Sequence, residues 1–511
     1  MTRVSKLALC LVIVVAMCGM TIMALADSGK SHPLEPMARN MKLVGWHSLD
    51  GRPAYHPHIQ YQNGRWILYV SEHVTVRDTT KDPPLYFGPV GNGTSILDVT
   101  NPRKPVLLAH LPGAAGVGGQ LEADPANSPR SEARSMRVCQ RGSDFWMIRQ
   151  MPAAGYEIWR VTDPKHPEKV VHFYTPGQTN THKINWECED DAQGRSVAYL
   201  PWRTSGTSGD GWRGVYLKIY NLANPANPVF IRNYGRPGLE PGSTGPAPSG
   251  VHHTGLDPQR KRVYVNYSCC SNGAWQILDR SKLLDGTLER PVIPGSTPDT
   301  KEYLDDPSLG IWDAPSYLGV HSTYALPGLV NPELAVDKLT DAEKYRDYAI
   351  VIGEAGGNGC NRQRQFTQMW DVTQDFKGWV VSGYQVPEAA GAFCSKGGRF
   401  GPHGSNEQVT QKFHNKLIAI SYFNAGVRML DIRQPFWPRE VAHYVPQPNK
   451  NTFYCDEGCA AVIQTNNVEM DERGYIYIVD RAGTGMHILE LTGDAKKIID
   501  GDHHHHGWWD D

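Results

Sequence analysis

The sequence predicts an all-β fold: a seven-bladed β-propeller closed by an N-terminal strand. Three observations predict it. First, a hydrophobic strand running into a short turn recurs seven times between about residue 50 and residue 492. Second, 51 Gly, 37 Pro and 14 Trp in 511 residues suit many short strands and tight turns better than helices. Third, a sustained 3.6-residue apolar period is rare, and residues 337–346 are the best helical candidate.

The first repeat is the clearest, with Ile96-Leu97-Asp98-Val99 leading into Thr100-Asn101-Pro102. It returns as Ile158-Trp159-Arg160-Val161-Thr162-Asp163-Pro164 and as Ile219-Tyr220-Asn221-Leu222-Ala223-Asn224-Pro225. Looser copies are Gln276-Ile277-Leu278-Asp279, Trp370-Asp371-Val372-Thr373, Leu430-Asp431-Ile432 and Leu489-Glu490-Leu491. A strand ending on such a turn and followed by an outer strand is one propeller blade. The seventh repeat lacks an outer strand of its own, and Met41-Lys42-Leu43-Val44-Gly45-Trp46-His47 has the right pattern to supply it. Ring closure of that kind removes exposed sheet edges. Residues 113–132, 203–214, 235–249 and 290–316 read as long loops.

The ends divide cleanly. Residues 1–26 read as a secretory signal peptide: Arg3 and Lys6, an apolar run over 7–23, then Ala24-Leu25-Ala26. A lipoprotein signal ending at Cys18 is the alternative, disfavoured by Met17 where a small residue is wanted. The partition expected is signal peptide 1–26, leader 27–40, propeller 41–495 and a His-rich tail 496–511. The chain is expected in the periplasm or secreted, with no membrane span. A net charge of −2 without a basic patch argues against nucleic acid as a partner.

Eight cysteines remain after Cys10 and Cys18 are removed, an even number that in an oxidising compartment favours disulfides. Cys455 and Cys459 flank one short loop, and Cys360 and Cys394 could clamp the insertion of the fifth repeat. Cys269-Cys270 is either a vicinal bridge or two separate partners.

The segments opening each repeat should line the channel. Tyr55-His56-Pro57-His58, Thr181-His182-Lys183, Val251-His252-His253, Val320-His321 and Pro402-His403 carry histidine, Glu132-Ala133-Arg134-Ser135-Met136-Arg137 carries arginine, and Gln464-Thr465-Asn466-Asn467 carries amides. From His182 to His252, His321 and His403 the steps are 70, 69 and 82 residues, about one blade each. Singly, such a histidine reads as a packed, hydrogen-bonded core residue. At equivalent positions around one axis they converge, and neutral imidazoles converging on a point suit Cu, Fe or Zn. His182, His252, His321 and His403 are the expected metal ligands, with copper or iron ahead of zinc. His58 and His253 are candidates for a fifth ligand or proton shuttle. Arg134 and Arg137 would hold an anionic small-molecule substrate, with Arg399 joining them if the site binds an anion or sugar. Glu407, with Glu187 and Glu469, would orient the imidazoles.

Ile96-Leu97-Asp98-Val99, Met429-Leu430-Asp431-Ile432 and Tyr475-Ile476-Tyr477-Ile478-Val479-Asp480 resemble the LVIVD-repeat family of exported β-propellers. The resemblance spans nearly the whole mature chain and implies the fold; it brings no catalytic residues. The leading function is a metal-dependent small-molecule enzyme, an oxidoreductase before a hydrolase. The alternatives are a non-catalytic scaffold binding a protein or glycan on its rim loops, and a metal-free lyase acting on an acidic substrate.

Overall fold

A computed structural model describes residues 37–73, 76–78, 85–87, 92–113, 132–151, 155–173, 178–180, 183–204, 210–330, 340–455 and 459–501. The expected signal peptide, most of the 113–132 loop, His182 and residues 502–511 lie outside these.

Among the described residues seven antiparallel sheets of four or five strands, the blades, follow one another along the chain, beside two small two-stranded hairpins. The first blade pairs Ala54–Gln62, Arg65–Glu72, Gly93–Asp98 and Val106–Pro112 in that order. The second, fourth and fifth repeat this meander, and the seventh does so with an outer strand from the N-terminus. In the third the inner position is two short strands, Gln178–Asn180 and Asn185–Trp186. In the sixth it is the single bridge Ser405–Ile420 beside Leu417–Ser421, Val427–Asp431 and Arg439–Val445. The repeat motif has a physical origin in its carboxylate or amide. Asp98, Asn221, Asp371 and Asp431 each accept a hydrogen bond from the backbone N–H two residues on, at 2.9–3.1 Å. Asn101, Asp163 and Asn224 do the same one turn later. An Asx turn followed by Pro ends the third strand and reverses the chain into the fourth. In all seven blades the register between these two strands shifts at one place, for example at Ile96/Leu97 and Met429/Leu430. Such bulges add twist to the outer strand of each blade.

Met41–His47 pairs with Met486–Leu491 as the outer strand of the seventh blade, so the ring closes as the sequence predicts. Two boundaries differ from expectation. Met37–Arg39, within the expected leader, pairs with Arg439–Val445 and adds an edge to the sixth blade. At the other end the helix Gly493–Asp500 buries Ala495 and Ile499 against the sixth and seventh blades. The propeller thus includes Met37–Arg39 and the helix that runs past residue 495, because both cover apolar surface or strand edge. The helical candidate at 337–346 is a single turn, Asp341–Lys344, after which Tyr345–Ile352 is a strand; its alternating Tyr348, Ile350 and Ile352 pack into a blade core. Residues 337–339 are outside the described set.

All eight cysteines after Cys18 are paired: Cys139–Cys188, Cys269–Cys270, Cys360–Cys394 and Cys455–Cys459. Cys139–Cys188 joins the second and third blades. No helix among the described residues is long and apolar enough to cross a membrane.

Closure also constrains Gly45, which sits at the bulge of the closing strand against the turn of the first blade. A Cβ there would overlap the Pro102 carbonyl oxygen. Gly45→Ala is expected to destabilise the chain by about 1–3 kcal/mol, the usual cost of overpacking, in denaturant unfolding. An unchanged midpoint would mean that the closing strand is not packed on the first blade as described.

Candidate functional site

The inner strands begin at one mouth of the channel and run inward, so residues near their starts meet on the axis. Connections between second and third strands come to the same mouth. Together they build two layers, each organised by one buried carboxylate.

The mouth layer is centred on Glu354, just after Tyr345–Ile352. His321 Nε2 lies 3.8 Å from its Oε2, and His403 Nε2 lies 3.7 Å from its Oε1. Arg399 donates to Oε1 at 2.9 Å, and Arg481 lies 3.9 Å from it. The His252, His321 and His403 rings form a run with centroids 4.5 and 4.3 Å apart. His252, His321 and Glu354 can each present a ligand atom within 4.8 Å of the others.

Tautomers follow from the partners. A carbonyl oxygen only accepts, so His252 Nδ1 donates to His321 O at 3.2 Å and His403 Nδ1 donates to Asn466 O at 2.5 Å. Each ring is left with its lone pair on Nε2, the state a metal ligand needs. Both nitrogens of His321 and Nε2 of His403 are buried without a hydrogen-bond partner. Burial holds the His321 and His403 pKa values well below the usual range, helped at His321 by the crowding of the other imidazoles and at His403 by Arg481 and Lys183, and burial takes His252 down to about 3. These imidazoles are neutral at physiological pH.

The inner layer is centred on Glu407. Lys183 Nζ donates to its Oε1 at 2.5 Å and Arg137 donates to Oε2. His56 Nε2 and His253 Nε2 approach Oε2 at 3.7 and 3.6 Å. Burial alone would raise the Glu407 pKa, but Lys183, His56 and Arg137 hold it well below the carboxylate range. Glu469 lies on the other side of His56, 3.6 Å away, and accepts from the backbone N–H groups of Glu407 and Gln408. Burial and the Glu407 charge push its carboxyl up to about 8. Two neighbouring carboxyls are therefore driven apart, one held ionised and one holding a proton.

Several expected roles change. His252, His321 and His403 converge as predicted, whereas His182 lies outside the described residues and its neighbour Lys183 reaches Glu407 instead. His58 does not join either layer: its Nε2 sits 3.2 Å from Val138 O and 3.3 Å from Val138 N, bridging the first two blades. Arg137 is bound to Glu407 with 6 % of its side chain exposed, so it is not free for a substrate. Arg134 and Arg399 are also paired, with Glu132 and Glu354 at 2.9 Å, but keep 19 and 20 % of their side chains exposed. Glu187 is away from the imidazoles, paired with Arg280 and Tyr199. Glu354, Lys183, His56 and Arg481 complete the site. Glu354 and Arg481 lie in second-to-third-strand connections, which carry no repeat signature, and Lys183 and His56 stood inside the openings already marked by histidine.

No family model matches the chain, and no curated protein matches it. Solved structures similar to it include the C-terminal WD40 domain of Sif2, at 8 % identity and TM-score 0.42, covering 90 % of this chain and 98 % of that one. The Dos1 propeller is similar at 9 % identity and TM-score 0.41, covering 89 % of this chain and 96 % of that one.

The Glu469 proton gives a signed prediction. The folded chain keeps a proton to about pH 8 that the unfolded chain releases near 4.5. Its contribution to stability therefore falls as pH rises through that window and is constant above it. Glu469→Gln should gain thermal stability over wild type progressively from about pH 4.5 to 8, by up to a few kcal/mol, then level off. A difference independent of pH would contradict a protonated Glu469.

Proposed function

We propose that the imidazoles of His252, His321 and His403, with the Glu354 carboxylate, hold a transition-metal ion, and that the chain is a metal-dependent oxidoreductase of an exported compartment. The observation that carries this reading is the pair of buried Nε2 atoms, of His321 and His403, that face one carboxylate without a hydrogen-bond partner. Leaving such groups unpaired costs about 1–3 kcal/mol each, a penalty that a bound ion removes. An imidazole-rich set with one carboxylate suits copper, iron or zinc and is poor for magnesium or calcium. The four disulfides fit an oxidising compartment.

An ion held there would supply a Lewis-acidic or redox centre. The chain supplies the rest. Arg134 and Arg399, partly exposed at the mouth, bring an anionic group of a small substrate toward Glu354. Tyr55 and Phe423 flank the imidazoles, with His403 ring centroids 5.9 and 5.0 Å from theirs, and keep the centre dry. Protons are handled one layer further in: Glu469 carries one, Glu407 is a carboxylate, and His56 and His253 approach Glu407 from two sides. Lys183 and Arg137 keep Glu407 ionised and are committed to that task.

Metal content tests the reading. The mature protein, purified without an affinity metal, should hold close to one copper, iron or zinc ion per chain above that of a His321→Ala/His403→Ala variant. Chelation should lower the thermal midpoint of wild type and leave the variant unmoved, since an ion bound only to the native state stabilises it. Equal metal in both proteins, or none in either, would overturn the proposal and favour a rim-loop scaffold.

A further inference from the structure

Cys269 and Cys270 occupy the connection after the strand Arg262–Tyr267, the same kind of connection that carries Glu354 in the next blade. Cys270 Sγ is 3.5 Å from Glu354 Oε2, the oxygen that also faces His321. One carboxylate oxygen thus stands between a sulfur and an imidazole. The loop is fastened to this place by several bonds. Glu354 N donates to Cys269 O at 3.0 Å, Val320 N to Ser268 O at 2.8 Å, and Gln365 Nε2 to Cys270 O at 3.3 Å. Ser268 adopts a left-handed φ of 56°, and Gly319 packs so close to the Cys269 carbonyl that any side chain there would overlap it. Both cysteines are partly exposed, so a soluble reductant can reach them, whereas Glu354 beneath them is buried. Cys269, Cys270 and Glu354 can present three ligand atoms within 4.8 Å of one another.

We propose that this pair is a reducible, soft metal-binding element at the mouth of the channel. An external dithiol would open it by thiol–disulfide exchange. One thiolate of the reductant attacks a sulfur of the bridge, the other cysteine leaves as thiolate, and the second thiol of the reductant resolves the mixed disulfide. Two electrons and two protons pass to Cys269 and Cys270, and the reductant ends as a disulfide. The two sulfurs then bind a thiophilic monovalent cation such as Cu(I), releasing their protons, with Glu354 as the third donor. Closed, the bridge offers no thiolate, so binding is conditional on reduction. The shared carboxylate places this element one ligand away from the imidazole set. The proposal uses Glu354 but does not require the imidazoles to be occupied.

The test titrates Cu(I), supplied anaerobically, against a chromogenic Cu(I) chelator. Six preparations are compared: wild type oxidised, wild type reduced by a dithiol, and the reduced Cys269→Ser/Cys270→Ser, Cys455→Ser/Cys459→Ser, His321→Ala/His403→Ala and Glu354→Gln variants. Reduced wild type should bind one more Cu(I) per chain than oxidised wild type and than reduced Cys269→Ser/Cys270→Ser, with a near-ultraviolet thiolate-to-copper band. The Cys455→Ser/Cys459→Ser variant should keep that extra equivalent, which excludes the exposed hairpin bridge as its source. His321→Ala/His403→Ala should also keep it, so failure of the imidazole site and failure of this one are separable. Glu354→Gln should weaken the extra equivalent at least about tenfold. The proposal is overturned if reduced wild type and reduced Cys269→Ser/Cys270→Ser bind equal copper, or if the dithiol leaves the Cys269–Cys270 bridge closed.

Discussion

Burial of ionisable side chains on the propeller axis depends on two carboxylates, Glu354 and Glu407. Arg137, Lys183, Arg399, Arg481 and the imidazoles of His56, His252, His253, His321 and His403 all sit within or against the space these two acids organise. A buried cation without a partner costs several kcal/mol, and removing one partner of such a pair typically costs about 3–5 kcal/mol. The inner strands can converge only if each blade contributes a group that its neighbours can pair. The blade meander sets where these groups lie; the carboxylates allow them to be there.

The two acids are satisfied to different degrees. Around Glu407 lysine and arginine bind directly and Glu469 is tied to the backbone, while His56 and His253 stop at 3.6–3.7 Å with both ring nitrogens unpartnered. Around Glu354 the pairing is sparser. Arg399 satisfies one oxygen, while His321 and His403 stop at 3.7–3.8 Å, and Nε2 of each has no hydrogen-bond partner. What sets the Glu354 layer apart is that one strong donor, Arg399, binds its carboxylate directly, where Glu407 has both Lys183 and Arg137. Departures from polar satisfaction concentrate where a fold serves something other than its own stability.

Much of this was legible in the sequence, for identifiable reasons. The Asx-Pro turn is a local device with a local signature, so the blades could be counted from Asp98, Asn101, Asp163 and Asn224. Closure was legible because the seventh repeat lacked a partner strand and 41–47 had its pattern. The histidines could be placed on the axis because equivalent positions in a closed ring meet. Their separate roles could not be read so easily. His58 and His56 are two residues apart on one strand, yet His58 is engaged by Val138 and His56 lies between Glu407 and Glu469; only the neighbouring blades decide which is which. Glu354 was hidden because its connection follows no repeat, and Glu187 was misplaced because proximity in sequence to Lys183 did not survive the turn into Arg280. The boundary residues Met37–Arg39 were too short a run to reveal an edge strand.

The central claim is that the imidazoles and Glu354 hold one ion between them. X-ray absorption at the metal edge of the isolated, air-oxidised protein tests it most directly. The account predicts a first shell of nitrogen and oxygen near 2.0 Å with the outer-shell scattering of about three imidazoles, and no sulfur while the Cys269–Cys270 bridge is closed. A shell dominated by sulfur, or one unchanged in the His321→Ala/His403→Ala variant, would contradict it.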